Sequence, residues 1–167
     1  MWARSLRPAW LLVLFGLLGG GLQAQGLRVH LTHLQGLAHS EGGAWYRGGT
    51  ELALTYGHAR QAWEYRAGLR ARTVLWGSQS GLTLGVHRPL GDRVGVGLTL
   101  EQGLALFRPR PLFVWGLEAG AEYRFWQGEK RAAGLSLGLR YTQAPAYGRY
   151  SQIRSLLEVP LGIWWAW

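Results

Sequence analysis

His39, Ser40 and Glu41 are the residue types of a nucleophilic site, in which a histidine base activates a serine hydroxyl. Neighbouring residues on a β-strand point to opposite faces, so this spacing does not place the hydroxyl and the imidazole together. In a long loop the same three residues are ordinary solvated polar residues. The sequence therefore predicts no catalytic residues at this position.

Histidine and cysteine usage limits the metal chemistry. The chain has five histidines and no cysteine, so disulfides and thiolate metal sites are excluded. No two histidines have a convincing metal-ligand spacing. We expect no metal and no cofactor, and we interpret His30 and His87 as hydrogen-bonded residues of an interior face.

Arginines and glutamates at alternate positions form the largest set of chemically capable side chains. Enclosed charges must pair, because burying an unpaired ion costs on the order of several kcal/mol. We predict one structural ion-pair network that holds the strands in register; a narrow ion path is the alternative. The predicted members are Arg28, Glu51, Glu64, Arg66, Arg70, Arg72, Glu101, Glu118, Glu122, Arg124, Arg140, Arg154 and Glu158.

The elements that must position these charges are β-strands, because apolar residues alternate with polar ones along the chain. The alternation is clearest between residues 93 and 142. A β-bulge near Thr32–His33 is expected, since the apolar phase changes there. The eight predicted strands lie at Leu27–Leu37, Gly48–Gly57, Ala62–Trp76, Gly81–Arg88, Arg93–Leu106, Leu112–Phe125, Arg131–Thr142 and Gln152–Trp167.

The first residues have the pattern of a secretory signal peptide. Arg4 and Arg7 precede an apolar core at Trp10–Leu18, which is too short to cross a bilayer. We expect cleavage before Gln25, so that residues 1–24 are a signal peptide and residues 25–167 are one barrel domain. Export places the chain in the cell envelope.

The last strand carries the most specific pattern. Its apolar residues recur at strict period two and end on an aromatic, as in the closing strand of outer-membrane β-barrels, which it resembles. In those proteins the terminal aromatic is read by the barrel-assembly machinery, which the resemblance implies as a partner. The residues of this signature are Val159, Leu161, Ile163, Trp165 and Trp167.

Two orientations of such a barrel are compatible with alternation, and three observations choose between them. Many glycines fall on the polar face, where a narrow lumen crowded by long side chains would need them. Aromatic residues cluster at the strand ends, as membrane interfaces require. Lipid-facing arginines would each cost roughly 2–4 kcal/mol near the midplane. We therefore predict an all-β, eight-stranded antiparallel up-and-down transmembrane barrel rather than a soluble lipocalin-like barrel.

The whole pattern from residue 25 to residue 167 resembles the small outer-membrane barrels of the OmpA and OmpX type. The resemblance implies an outer-membrane location in a diderm bacterium. Some barrels of this size are lipid A-modifying enzymes, and PagL-type deacylases carry a His-x-Ser pair on one strand face. His39-Ser40 departs from that spacing, which puts a deacylase activity in doubt.

The predicted function is non-enzymatic: an envelope protein that presents short surface loops on a plugged barrel. A lipid A-modifying enzyme and a narrow channel are the alternatives. Basic residues outnumber acidic ones, but they are spread singly, so nucleic acid is not an expected partner. Outer-membrane lipid is an expected partner. Guanidinium groups bind phosphate, which lipopolysaccharide carries. Lipopolysaccharide contact is predicted for Arg47, Arg108, Arg110 and Arg149.

Overall fold

The fold is a single sheet closed into a barrel. The computed structural model describes residues 25–42, 45–46, 48–74, 77–107, 110–143 and 154–167. Within these ranges the strands follow one another in chain order, each antiparallel to the next, and β1 pairs with β8. The strands are β1 (Gln25–His39), β2 (Thr50–Arg60), β3 (Trp63–Val74), β4 (Gly77–Leu90), β5 (Val94–Phe107), β6 (Arg110–Gln127), β7 (Ala132–Gln143) and β8 (Ser155–Ala166).

The two ends of the barrel differ in their connections. The end that holds Gln25 and Trp167, the first and last described residues, has three tight turns, at residues 61–62, 91–93 and 128–131. Gly91 turns at a φ of 83°, a conformation that glycine adopts without a steric penalty. We call this the terminus end. The opposite end, with the connections 40–49, 75–76, 108–109 and 144–154, is called the loop end.

Alternation along each strand separates two faces, as the sequence predicts. Leu98 on β5 points outward and is 57 % exposed, whereas Arg140 on β7 points into the lumen and is 1 % exposed. On β2, Glu51 is buried and the next residue, Leu52, is exposed. Leucines cover the outside and charges fill the inside, which excludes the lipocalin-like orientation.

Aromatic side chains on the outer face gather near the two ends. Trp126 and Trp165 stack at a centroid distance of 5.3 Å at the terminus end. Trp115 meets Tyr141 edge-on at 5.8 Å at the loop end. The outer face between these levels is mostly aliphatic, and it includes Leu54, Leu69, Leu82, Val96, Leu98, Leu100, Leu137 and Leu139. This is the outer surface expected of a barrel in lipid.

The expected bulge near Thr32–His33 is wrong. Pairing of β1 with β8 runs without interruption through both residues, and its register shifts only between Gly36 and Ala38. Thr32 is buried and His33 is exposed, so Leu34 is the residue that enters the lumen. The apolar residue at an inward position, which suggested a bulge, instead marks the level at which the lumen becomes apolar.

Other differences concern strand length and a second irregularity. β4 begins at Gly77 rather than Gly81, because it pairs with β5 as far as Ser78↔Leu106. β6 continues to Gln127 through a register shift between Arg124 and Trp126. No helix in the described ranges is long and apolar enough to cross a membrane.

Candidate functional site in the barrel lumen

Ion pairs fill the lumen at two levels, and the first lies toward the terminus end. Arg28 on β1 donates to Glu64 on β3 at 2.8 Å and to Glu122 on β6 at 3.1 Å. Arg66 on β3 pairs with the same two carboxylates. Two arginines and two glutamates thus form a formally neutral square, called here the lower quartet (Arg28, Glu64, Arg66 and Glu122).

The second level lies toward the loop end and is larger. Arg140 pairs with Glu51 at 2.5 Å and with Glu118 at 2.6 Å. Arg70 contacts both of those carboxylates and also Glu101, which lies 3.2 Å away. This upper cluster consists of Glu51, Arg70, Arg72, Glu101, Glu118, Arg140 and Glu158.

The upper cluster holds charge away from solvent more completely than the lower quartet. The side chains of Arg72 and Glu158 are both 0 % exposed, and their ion pair is 3.2 Å long. Further donors and acceptors complete the layer: Arg72 donates to Thr142 Oγ1 at 2.9 Å, and Gln79 donates to Glu101 at 2.7 Å. Burial on this scale requires such pairing, because each uncompensated ion would cost several kcal/mol, on the order of the whole stability margin.

Eleven of the thirteen residues predicted for the network lie in these two levels. Arg124 and Arg154 do not. Arg124 lies at the terminus end and donates to the side chain of Gln127 at 2.8 Å. Arg154 is exposed at the loop end, where its backbone N–H donates to Ser40 Oγ at 2.6 Å. Both lie near the ends of strands, and in the described ranges neither forms an ion pair with a carboxylate.

A polar cavity of about 60 Å³ separates the two charged levels. Hydroxyl and imidazole groups line much of it, among them His30, Thr55, Thr83 and His87. His30 Nε2 lies 3.3 Å from Thr55 Oγ1. The volume has room for about four water molecules. Such a chamber can hold solvent between the ion pairs, but its size leaves no place for a larger substrate.

An apolar layer lies at the loop end of the lumen. It consists of Leu34, Ala105, Leu112, Val114 and Leu156, with Tyr46 packed against it. The sequence places Leu156 on the inward face but gives no expectation of a complete layer. The sequence did contain a signal of this layer, because three apolar residues occupy inward positions of their strands: Leu34, Leu112 and Val114. We call this layer the apolar plug.

Tyr46 is the part of the plug that comes from a loop. A Cβ at Gly36 would overlap its ring, so β1 carries a glycine where the tyrosine crosses it. His39 meets the same ring edge-on at a centroid distance of 5.6 Å. Burial, with the negative charge of Glu158 as the second cause, raises the pKa of the Tyr46 phenol well above its ordinary value. The preceding residue, Trp45, holds a φ of 56°, a conformation that costs a non-glycine residue energy.

His39, Ser40 and Glu41 do not assemble as a nucleophile and base. Ser40 Oγ accepts a hydrogen bond from the backbone of Arg154, and the backbone N–H of Glu41 donates to His39 Nδ1 at 3.3 Å. These bonds fold the turn after β1 and connect it to the start of β8. Their geometry is that of a structural turn.

The remaining predicted sites have less structural definition. Arg47, Arg108 and Arg149 lie outside the described residues, and Arg110 is described only as the first residue of β6. The closing-strand signature lies on the outer face of β8, where Leu161, Ile163 and Trp165 are exposed. In the part of the chain that the structure describes, no group of three or more His, Asp or Glu side chains could hold a metal ion.

Comparison with solved structures gives the class of this barrel. The crystal structure of Neisserial surface protein A superimposes with a TM-score of 0.55 at 12 % identity, over 87 % of this chain and 97 % of that one. The fold is that of a small outer-membrane β-barrel. A structure of the NanC porin covers 84 % of this chain and 98 % of its own, at a TM-score of 0.37 and 11 % identity. No family model and no curated protein matches the sequence.

Proposed function

We propose that this protein is a non-enzymatic outer-membrane barrel of a diderm bacterium that presents its loops on a closed scaffold. The aliphatic band with aromatic residues at both ends supports a membrane-spanning position. An even number of strands puts both termini at one end, and in bacterial barrels that end faces the periplasm. The loop end then faces outward.

The filling of the lumen by side chains is the observation that supports the proposal. A conducting pore needs a continuous path, but here the apolar plug, the upper cluster and the lower quartet follow one another along the axis. An eight-stranded barrel is only wide enough for side chains to fill it. A closed cylinder leaves the loops as the part that can meet a partner.

Conductance and gel mobility test this together. The purified protein should migrate faster without boiling than after boiling, because a closed barrel stays compact in detergent. In planar bilayers it should give no stable current steps, with a general porin as the positive control. Reproducible unitary steps from heat-modifiable protein would contradict the closed scaffold and favour the narrow channel.

We also propose that the loop end contacts lipopolysaccharide through Arg47, Arg108, Arg110 and Arg149. A guanidinium pairs with phosphate through two parallel hydrogen bonds, and four of them at one end would give that end a preference for phosphorylated lipid. Changing all four to Gln should lower the lipopolysaccharide that co-purifies with the barrel. Changing the exposed Arg60, Lys130 and Arg131 at the terminus end to Gln is the control. Equal retention by both variants would contradict the contact.

We propose, finally, that residues 1–24 are removed on export. The basic start, short apolar core and small residues before Gln25 support cleavage there. The intact mass of protein isolated from membranes should correspond to a chain that begins at Gln25. A mass that includes Met1 would overturn this step while leaving the barrel unaffected.

A further inference from the structure

A second cavity opens at the terminus end of the lumen, below the lower quartet. It has a volume of about 40 Å³ and reaches the exposed turn at Gly91 and Asp92. Arg28 lies over the ring of Trp164 at 4.9 Å, and both line this cavity. Arg66, His87 and Glu122 line both this cavity and the polar cavity between the two charged levels, so they form the partition between the two spaces. We call this cavity the mouth.

The mouth has an excess of positive charge. Five arginines and three carboxylates line it. The lower quartet accounts for two of each and is formally neutral, which leaves Arg88, Arg93 and Arg124 against Asp92. Arg88 is directed onto the face of Trp63 at 5.6 Å. In the described ranges no carboxylate forms an ion pair with Arg93 or Arg124.

Arg124, which lines the mouth, also has a donor without an acceptor. Its Nη1 donates to Gln127, but its buried Nε has no acceptor among the described residues. The Nε of Arg66, on the partition, is buried without an acceptor too. The Nε atoms of Arg70 and Arg72 in the upper cluster are buried without an acceptor as well, so the feature that distinguishes the mouth is its excess of positive charge.

The backbone holds Arg93 and Arg124 side by side. The N–H of Arg124 donates to the carbonyl oxygen of Arg93 at 2.7 Å, which joins the start of β5 to the end of β6. Arg93 and Arg124 therefore originate from neighbouring points on the rim. Gly95, the next lumen-facing residue of β5, adds no side chain that would narrow the opening.

We propose that the mouth binds a small phosphate-bearing anion between Arg124 and Arg93. Phosphate oxygens accept parallel hydrogen bonds from a guanidinium, and they would neutralise the excess charge. The cavity is small but faces solvent, so it would hold the oxyanion while the rest of a larger ligand stays outside. The lower quartet prevents the ligand from moving further into the lumen.

Titration calorimetry with inorganic phosphate tests the site on the whole barrel in a zwitterionic detergent at constant ionic strength. The parent protein should bind phosphate saturably, and Arg124→Gln should weaken binding about tenfold or more, the loss expected for one charge-assisted hydrogen bond. Arg60→Gln is the control, because Arg60 is exposed at the same end but does not line the mouth. It should bind as the parent does.

Three results would overturn the proposal. The first is the absence of saturable binding by the parent protein. The second is equal affinity in Arg124→Gln, whose heat-modifiable migration would first show that it folds. The third is binding of phosphatidylglycerol micelles without any binding of inorganic phosphate, since that would assign the arginines to a lipid headgroup instead of a free anion. Because the assay is performed in detergent, its outcome does not depend on which end of the barrel faces outward in the cell.

Discussion

Arg140 on β7 donates through both terminal nitrogens to Glu51 on β2, at 2.5 and 3.1 Å. The two strands are not neighbours in the sheet, so this ion pair crosses the lumen and holds two separate parts of the barrel wall together. Both side chains are almost completely buried. Neighbouring strands are already joined by backbone hydrogen bonds, whereas non-neighbouring strands depend on contacts of this kind.

Breaking that pair should destabilise the barrel strongly. Arg140→Gln leaves Glu51 and Glu118 buried without their main partner, and removing one side of a buried pair costs about 3–5 kcal/mol. We expect the free energy of unfolding in urea, measured in lipid vesicles, to fall by that amount. Arg60→Gln, at an exposed position, should change it by no more than about 0.5 kcal/mol.

The double variant Arg140→Gln/Glu51→Gln separates pairing from simple loss of a side chain. If the two residues act as a pair, the combined loss should be smaller than the sum of the single losses, with a coupling of about 0.5–3 kcal/mol. Additive losses would contradict the bracing contact.

A glycine on the lumen face should be indispensable because of one particular neighbour. A Cβ at Gly97 would overlap the imidazole ring of His87, and each of its three nearest atoms belongs to that ring. Gly97→Ala should lower the unfolding free energy by about 1–3 kcal/mol, as overpacking does. Adding His87→Ala should restore much of it. Failure of the second change to help would point to backbone strain in β5 as the cause.

Charge on the outer face should be tolerated according to depth. Leu98 lies within β5, opposite Ala119 of β6 in the aliphatic band, whereas Leu90 ends β4 beside the terminus-end turn, and both leucines are exposed. Arginine at the midplane of a membrane barrel costs about 2–4 kcal/mol and near an interface about 0–1. Leu98→Arg should therefore be much less stable in vesicles than Leu90→Arg. Equal losses would contradict a membrane-spanning position for this band.

Tyr46 should ionise later than an ordinary tyrosine. Its pKa is raised by burial and by Glu158, so the folded state favours the neutral phenol. The stabilisation is present below about pH 10, the ordinary pKa of tyrosine, and is lost as pH rises beyond it. The seven tyrosines can be followed by the absorbance of tyrosinate as pH is raised. Tyr46→Phe should remove the absorbance of one tyrosine from the part of the titration at the highest pH. Loss of an early-titrating tyrosine would show that the ring is not held in the plug.

The period-two pattern was enough to predict the closed sheet and its two faces. Residues such as Leu98 and Arg140 differ so strongly in transfer energy that only one orientation is possible once lipid lies outside. The strand limits were less certain, because Gly77 and Ser78 pair through backbone groups that carry no hydropathy signal.

The interior was harder to predict, since its lining changes from charged to apolar side chains along the barrel axis. A mostly polar interior was expected, and so the change of phase at Leu34 was interpreted as a β-bulge. Its burial shows that the lumen becomes apolar near the loop end. Which arginine reaches which carboxylate depends on stagger between strands. Arg124 and Arg154 share the phase of the network but lie too near the strand ends to join it.

Pairing of β1 with β8 restricts how such a chain can change over time. Every strand runs opposite to both of its neighbours, and a ring with that property exists only for even numbers. A single strand cannot be gained or lost without forcing two parallel neighbours together. Wider or narrower descendants must therefore arise by duplicating or deleting whole hairpins.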